Sequence, residues 1–450
     1  MRRSPSRRTA RCPTAASRCA RSWNSSRTYP VTAIRLPAPA EVAAAVADAH
    51  RREWAFVLAA TVRVTRDLDL AEECVQDAYA SALSAWPTSG VPARAGAWLT
   101  TAARNRALDL LRRDQTARRH LPLLLDDPTL PGPESALDTP DIPDDRLRLI
   151  FTCCHPGLAV EAQVALTLRL LCGLTTAEVA RAFLVSEPTM AARITRAKKK
   201  IANARIPYRV PSAADLPARV EAVLSVVHLL YTTGHTAPSG SGLIRADLVQ
   251  RSLDLARMLR ELLPRDTGVA ALLALILLTD ARSGARTDPG GRLVLLGQQD
   301  RSLWDRQAIS EGTQLVREAL RSRPPSRYAL MAAIAAVHSE APSWAATDWA
   351  ELVGLYDLLM ATWPSPVVAL NRAVAVGFAH GPLAGLHALD ELSAEPQLAR
   401  YAYLAVARAE FLERLGRIVE ARLAFTEALM LTENAVERAF LEERLAALPD

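Results

Sequence analysis

A cationic stripe between residues 186 and 201 carries the clearest chemistry in this 450-residue sequence. At helical spacing the stripe comprises Thr189, Arg193, Arg196 and Lys200. The apolar stripe beside it comprises Met190, Ile194, Ala197 and Ile201. A short helix with one packed face and one free basic face suits the major groove of DNA, where its first half reaches base edges and its second half contacts phosphates. A helical hairpin with a solvated basic face is the alternative.

The residues before the stripe predict the other half of a helix-turn-helix. The segment Thr175–Glu178 matches a capping box, in which the threonine caps a helix and the glutamate reaches back to it. That helix should end near Leu184. Ser186 can cap the next helix, and Pro188 falls in its first turn, where no backbone hydrogen bond is lost.

Charge is distributed unevenly along the chain. Residues 146–210 hold eleven basic and three acidic side chains, whereas the 240 residues that follow are net acidic. A basic segment of this size fits one nucleic-acid-binding module, because each Lys or Arg against a phosphate releases counterions. Residues 1–40 hold nine Arg and no acid, and we expect them to form a disordered basic tail.

Composition predicts an all-α protein without catalytic machinery. Half of the residues are apolar but only 5% are aromatic, and Gly is scarce at 19 residues. The sequence has no G-x-x-x-x-G-K, G-x-G-x-x-G, H-E-x-x-H or G-x-S-x-G motif, so we expect no enzyme and no cofactor. Six Cys without a C-x-x-C pair favour a reduced, cytoplasmic chain and no metal site. The longest apolar run, Val269–Leu278, is about half of a membrane span.

Two amphipathic helices precede an acidic, Pro-rich segment. The first is expected to start at the cap Asp69 and to end at Pro87, with an acidic exposed face of Glu72, Glu73, Gln76 and Asp77. The second, from residue 95 to 114, places Arg104, Asn105 and Arg106 on a basic face and Trp98 among its apolar residues. Residues 116–143 should then form a linker between domains.

Helical sequence continues from 211 to the end and closes with an internal repeat. Gly381 and Gly416 lie 35 residues apart, and each separates two helices as in a tetratricopeptide hairpin. Within residues 297–312, Arg301 and Asp305 would be i, i+4 partners on a helix, with Trp304 beside them. The segment is either a structural clasp between helices or a regulatory surface.

Taken in order, these motifs resemble the extracytoplasmic-function group of bacterial RNA polymerase sigma factors. The stretches DLDLAEECVQDAYASALSAW and AWLTTAARNRALDLLRR are similar to the first domain of that family, and TTAEVARAFLVSEPTMAARITRAKKKI to the second. The stretches LLGQQDRSLWDRQAISEG, TDWAELVGLYDLL and PSPVVALNRAVAV resemble the extension of one subgroup, which carries tetratricopeptide-like helices. The resemblance implies a first sigma domain at 41–115, a second at 144–206 and a helical extension at 211–450.

The resemblance also implies a role for each candidate residue. The core RNA polymerase would be bound by Glu72, Gln76 and Asp77. The melted minus-ten element would be bound by Trp98, Arg104, Asn105 and Arg106. The minus-thirty-five element would be bound by Ser186, Glu187, Thr189, Arg193, Arg196 and Lys200. The extension would replace a separate anti-sigma factor, and a regulatory protein or ligand would act at Asp300, Arg301, Trp304 and Asp305.

The extension departs from the subgroup at two places. Thr232–His235 stand where an Asn-Glu-Gly-Tyr-like turn is expected, and Gln298 and Gln299 replace an acidic residue.

Two other functions remain open from the residues alone. One is a stand-alone helix-turn-helix regulator with a sensing domain, and the other is a helical protein-binding scaffold.

Overall fold

The computed structural model describes residues 38–120, 145–183, 185–236 and 242–449, with only the backbone for 114–120. The expected basic tail lies outside these residues except for 38–40, and so does the expected linker from 121 onward. The described residues form eighteen α-helices and no strand, with one isolated bridge between Thr287 and Leu293. The expected all-α fold is confirmed.

The first helices form an antiparallel three-helix unit. Their bounds are α1 Pro39–Thr65, α2 Leu68–Ser89 and α3 Ala95–His120. The expected start of α2 was two residues late, because Asp67 is the cap and its side chain accepts from the amides of Asp69 and Leu70. Pro87 does not end α2. The helix continues to Ser89 and stops at Gly90, which has a φ of 80°.

The second group of helices ends in the predicted helix-turn-helix. Its bounds are α4 Asp145–Cys153, α5 Val160–Leu166, a π-helical turn Thr167–Leu171, α6 Thr176–Ala182 and α7 Glu187–Asn203. Thr175 and Glu178 form the capping box, and Ser186 caps α7. The predicted apolar stripe of α7 is buried at Met190, Ile194, Ala197 and Ile201.

The rest of the described chain is a helical extension. Its bounds are α8 Leu216–His235, α9 Ala246–Leu262, α10 Thr267–Asp280, α11 Arg306–Ala319, α12 Arg327–Glu340, α13 Trp349–Thr362, α14 Pro366–His380, α15 Pro382–Asp390, α16 Ala402–Arg414, α17 Ile418–Leu431 and α18 Ala435–Ala447. Three 3-10 turns lie between α10 and α11, at Ser283–Ala285, Leu296–Gln298 and Arg301–Leu303. One stretch, Thr267–Ala285, has the length and hydropathy of a membrane span, and 67% of that span is buried inside the protein.

Glycines set the geometry of the last hairpins. Gly381 (φ 97°) and Gly416 (φ 73°) stand between the paired helices, in a backbone region that other residues rarely adopt. Gly377 lets α14 approach α16 closely, since a Cβ there would lie 2.1 Å from Cζ of Phe411. In α17, the small and bulky residues Ala421, Phe425 and Ala428 are all buried.

One continuous hydrophobic core runs from α1 to α12. It joins the three-helix unit, the helix-turn-helix unit and the first half of the extension. The last helices pack around smaller clusters of their own. The two units expected to bind DNA are therefore packed against each other in this structure.

Candidate nucleic-acid interface

Helix α7 presents the cationic stripe that its sequence predicts. Its cap Ser186 accepts from the amide of Thr189 at 3.4 Å. Thr189, Arg196 and Lys200 are exposed, as is Glu187 in the first turn. Arg193 is half-buried and lies over the ring of Phe183, 5.7 Å from its centroid. The stripe thus keeps an open basic face, with Arg193 held at its edge.

Lys198, also on α7, points the other way and binds the three-helix unit. Its ammonium group lies 2.6 Å from Oδ1 of Asp69 and is also paired with Glu72 on α2. Arg169, in the π-helical turn, completes the cluster at 2.9 Å from Oε1 of Glu72. Burial lowers the pKa of Lys198, but the two carboxylates outweigh burial and raise it above its ordinary value. Lys198 is therefore charged at neutral pH, and the two carboxylates hold its side chain in place.

The burial of Glu72 corrects the predicted acidic face of α2. Glu72 is only 5% exposed, so it is not on the free surface that the helical pattern placed it on. The pattern could not show this, because the charges that cover Glu72 come from residues about a hundred positions later. Gln76 remains exposed, and Asp77 is 45% exposed in its side chain.

Helix α3 carries the basic face expected to contact the minus-ten element. Arg104 and Asn105 are exposed. Nε of Arg106 donates to Oδ2 of Asp77 at 2.7 Å, so a residue predicted to contact DNA and one predicted to contact polymerase are paired here. Trp98 is half-buried and packs edge-on against Trp86, with ring centroids 5.6 Å apart.

Hydrogen bonds across the core fix the two units together. Nε1 of Trp54 in α1 donates to the carbonyl of Leu170 at 3.0 Å. The hydroxyl of Tyr208, which follows α7, donates to the carbonyl of Ala59 at 2.9 Å. Both side chains are large aromatic rings with a polar N–H or O–H group. When such a ring is buried, that group usually donates a hydrogen bond.

The extension also makes hydrogen bonds to the helix-turn-helix unit. Arg245, just before α9, donates from Nη1 to the carbonyl of Ala182 at the end of α6, at 2.8 Å. Arg219 in α8 bonds to the carbonyl of Phe151 and lies over its ring, 5.9 Å from the centroid. The extension therefore contacts the same unit that carries the cationic stripe.

The motif at 300–305 is a clasp rather than one helix. Asp300 caps a 3-10 turn, and Asp305 caps α11, so the predicted i, i+4 pairing of Arg301 with Asp305 is wrong. Arg301 instead donates to the carbonyls of His338 (3.0 Å) and Ala341 (2.8 Å) at the end of α12. Its guanidinium also stacks on Trp304, 4.3 Å from the centroid. Trp304 is 3% exposed, so it cannot offer a surface to a partner in this structure.

The described cysteines fit core packing. Cys74, Cys153, Cys154 and Cys172 are free and buried, and burial raises the pKa of each thiol. Within the described part of the chain, no group of three or more His, Cys, Asp or Glu is placed to hold a metal ion.

Family comparisons match the units that this geometry separates. The sigma-70 region 2 family matches residues 50–117, which begin within α1 and end in α3. The sigma-70 region 4 family matches residues 148–201, which include α5, α6 and most of α7. The chain carries regions 2 and 4 of the sigma-70 family. This sigma factor also carries a third match, to a family of unknown function (DUF6596) at residues 219–320, which covers most of α8 and all of α9 and α10 and ends just after α11.

A curated relative spans nearly the whole sigma factor. The uncharacterized protein R00370 of Rhizobium meliloti strain 1021 is 42% identical over 401 residues, covering 87% of this chain and 94% of the relative. No solved structure matches the chain. Regions 2 and 4 assign a promoter-recognition role in transcription initiation, with core RNA polymerase and promoter DNA as partners.

Proposed function

We propose that this protein is a sigma factor of the extracytoplasmic-function type whose helical extension regulates it. It would work in the cytoplasm, bind core RNA polymerase and direct initiation at promoters with a minus-thirty-five and a minus-ten element. The observation that carries the proposal is the presence in one chain of two separate basic helix faces, on α3 and α7, within regions 2 and 4. A single DNA-binding module would need only one.

Each face has a proposed ligand. The exposed stripe of α7 reads the minus-thirty-five element, with Ser186, Glu187, Thr189, Arg193 and Arg196 in the major groove and Lys200 toward phosphates. The face of α3 binds the melted minus-ten strand, where Arg104 and Asn105 contact the backbone and Trp98 offers a ring for a base. Gln76 and Asp77 bind polymerase, together with Glu72 once it leaves Lys198.

Promoter binding requires the packed conformation to open. The two elements are centred about 25 base pairs apart, which is about 85 Å along B-DNA at 3.4 Å per pair. In this structure Lys198 and Asp69 are 2.6 Å apart, so α2 and α7 are in direct contact. The 24 residues from 121 to 144 can span at most about 80 Å when extended, and that reach is compatible with separating the two domains.

Two bonds from the extension support a role for it in controlling this opening. Arg219 and Arg245 tie it to α4 and α6 while the α2–α7 contact is formed. A change in the extension that releases these two bonds would favour the open form. Regulation would then be a shift between closed and open populations, rather than a block of one DNA-contacting face.

The decisive experiment is association of the full-length protein with bacterial core RNA polymerase, followed by run-off transcription from genomic fragments. Stable association and defined start sites would support the proposal. Specific retention of promoter DNA without polymerase binding would point to a stand-alone regulator. Failure to bind either partner would point to a protein-binding scaffold.

A further inference from the structure

Arg282, which follows α10, is a cation without a partner in the middle of the extension. Its side chain makes no hydrogen bond or ion pair with any residue that the structure describes. The side chain is partly buried, yet none of its nitrogens is sealed from solvent. A guanidinium that is neither bonded nor fully hydrated costs stability.

Two more guanidinium groups, those of Arg286 and Arg301, lie near Arg282. Burial, and then the like charges of Arg286 and Arg301, lower the pKa of Arg282 to about 10, so it is still charged at neutral pH. Arg286 is fixed by bonds to the carbonyl of His235 and to the hydroxyl of Thr236. Arg301 is fixed by two carbonyls of the α12 end through one nitrogen. Three cations are thus held near one another, and no carboxylate of the described residues lies within ion-pair distance of Arg282.

Neutral tyrosine and histidine side chains lie near Arg282, whereas the carboxylates of Asp280 and Glu437 lie near Arg286. Tyr356 of α13 lies near Arg282, and its hydroxyl makes no hydrogen bond among the described residues. Burial raises the pKa of Tyr356 to about 12, so the hydroxyl is a donor at neutral pH. Burial also lowers the pKa of His235 to about 3 and that of His338 to about 4, so both rings are neutral there.

Unpartnered polar atoms also occur beside Arg282. Eleven buried side-chain nitrogen or oxygen atoms lack a hydrogen-bond partner in the described chain, and seven of them lie between residues 299 and 347. Two of the seven, Arg301 Nη2 and His338 Nδ1, belong to side chains that lie near Arg282. Buried polar groups in folded proteins are nearly always bonded, so a cluster of exceptions indicates a bound group that completes the site.

We infer that the extension binds a small organic anion, a carboxylate or a phosphate, between Arg282 and Tyr356, with Arg286 and Arg301 flanking it. An oxyanion accepts strong charge-assisted hydrogen bonds from guanidinium groups and offsets the repulsion among three of them. The partly buried position of Arg282, near residues of α8, α12, α13 and the turns after α10, fits a small ligand better than a protein surface. The inference concerns the extension alone and does not require the proposed promoter recognition.

The test is thermal unfolding of the full-length protein and its Arg282→Gln variant, each titrated with succinate and with inorganic phosphate. Ligands that bind only the folded state raise Tm with concentration. We expect at least one anion to raise Tm of the wild type by several degrees and not that of Arg282→Gln. The anion that raises Tm at the lower concentration shows whether the site prefers a carboxylate or a phosphate.

The Tm of Arg282→Gln without any anion is a second test. It distinguishes a ligand-binding role of Arg282 from a structural role. Without any anion, Arg282→Gln should unfold a few degrees above the wild type, because an unpaired charge has been removed. A structural arginine would give the opposite sign. Arg292→Gln is the matched control, since Arg292 lies in the same α10–α11 segment but is 67% exposed in its side chain and paired with Asp288; it should keep the anion response.

Three results would overturn the inference. The first is an equal response to succinate and phosphate in the wild type and in Arg282→Gln. The second is a wild-type response no larger than that to chloride at matched ionic strength. The third is a lower Tm of the anion-free Arg282→Gln protein, which Arg282→Lys restores.

Discussion

Arg196 is the residue best suited to test the minus-thirty-five assignment. It is exposed on α7, so its removal should not disturb the fold, whereas the half-buried Arg193 also packs on Phe183. We expect Arg196→Ala to weaken binding of the upstream element by about 1 to 3 kcal/mol, as for loss of a base contact. Run-off transcription from matched and mutated upstream elements would measure it.

The control for that experiment is Arg400→Ala, which removes an exposed arginine from the extension. It should leave promoter choice unchanged. If Arg196→Ala and Arg400→Ala use promoters alike, α7 is not the recognition helix.

At the scale of elements, the contact between α2 and α7 depends on Lys198. Lys198→Met leaves buried Glu72 with Arg169 alone, while Lys199→Met changes an exposed neighbour on the same helix. We expect Lys198→Met to be destabilising and Lys199→Met to stay within about 0.5 kcal/mol of the wild type. A double-mutant cycle of Lys198→Met with Glu72→Gln should give a coupling of about 0.5 to 3 kcal/mol in denaturant unfolding.

The pKa of Lys198 fixes the pH range of this coupling. Because the pKa is raised in the folded state, the contribution is complete at neutral pH. It is lost only as alkaline pH passes the raised value. Zero coupling at pH 7 would mean that the two charges are not in contact in solution.

A second prediction about elements concerns the approach of α14 to α16. Gly377→Ala places a Cβ against the buried ring of Phe411, so we expect a loss of about 1 to 3 kcal/mol from overpacking. Gly354→Ala is the control, because Gly354 is at an exposed position of α13, where a Cβ would meet nothing within 4 Å, and the change should stabilise by about 0.5 to 1 kcal/mol. Urea unfolding of both variants compares them directly, and equal stability would contradict this packing.

For the whole molecule, the closed conformation can be trapped chemically. The chain has only three lysines, which are the consecutive Lys198, Lys199 and Lys200. A zero-length carbodiimide cross-linker should join Lys198 to Asp69 in the free protein, since the two groups are in contact. We expect the cross-link to disappear when the protein binds core polymerase.

Mass spectrometry of the cross-linked peptides makes the measurement unambiguous, because no lysine lies elsewhere in the chain. Lys198→Arg is the matched control, since it keeps the charge and removes the reactive amine. Persistence of the Lys198–Asp69 cross-link in the polymerase complex would show that promoter recognition does not require the domains to part.

The amino-acid sequence by itself determined the local structure and the family. Caps at Thr175 and Ser186 and the apolar stripe of α7 depend on side chains within a few residues, so periodicity and capping chemistry predicted them. The same local rules misplaced the start of α2, since Asp67 and Asp69 are equally good caps and only the flanking backbone selects between them.

The tertiary structure decided which charges are free. Glu72 and Lys198 lie 126 positions apart, and Arg301 bonds to the end of α12 rather than to Asp305, four residues along the chain. The pattern of residues in one helix cannot predict such pairs. It indicates which face is apolar, but not which other element packs against the polar face. Arg282 is the reverse case, in which folding partly buries a cation and no described carboxylate pairs with it.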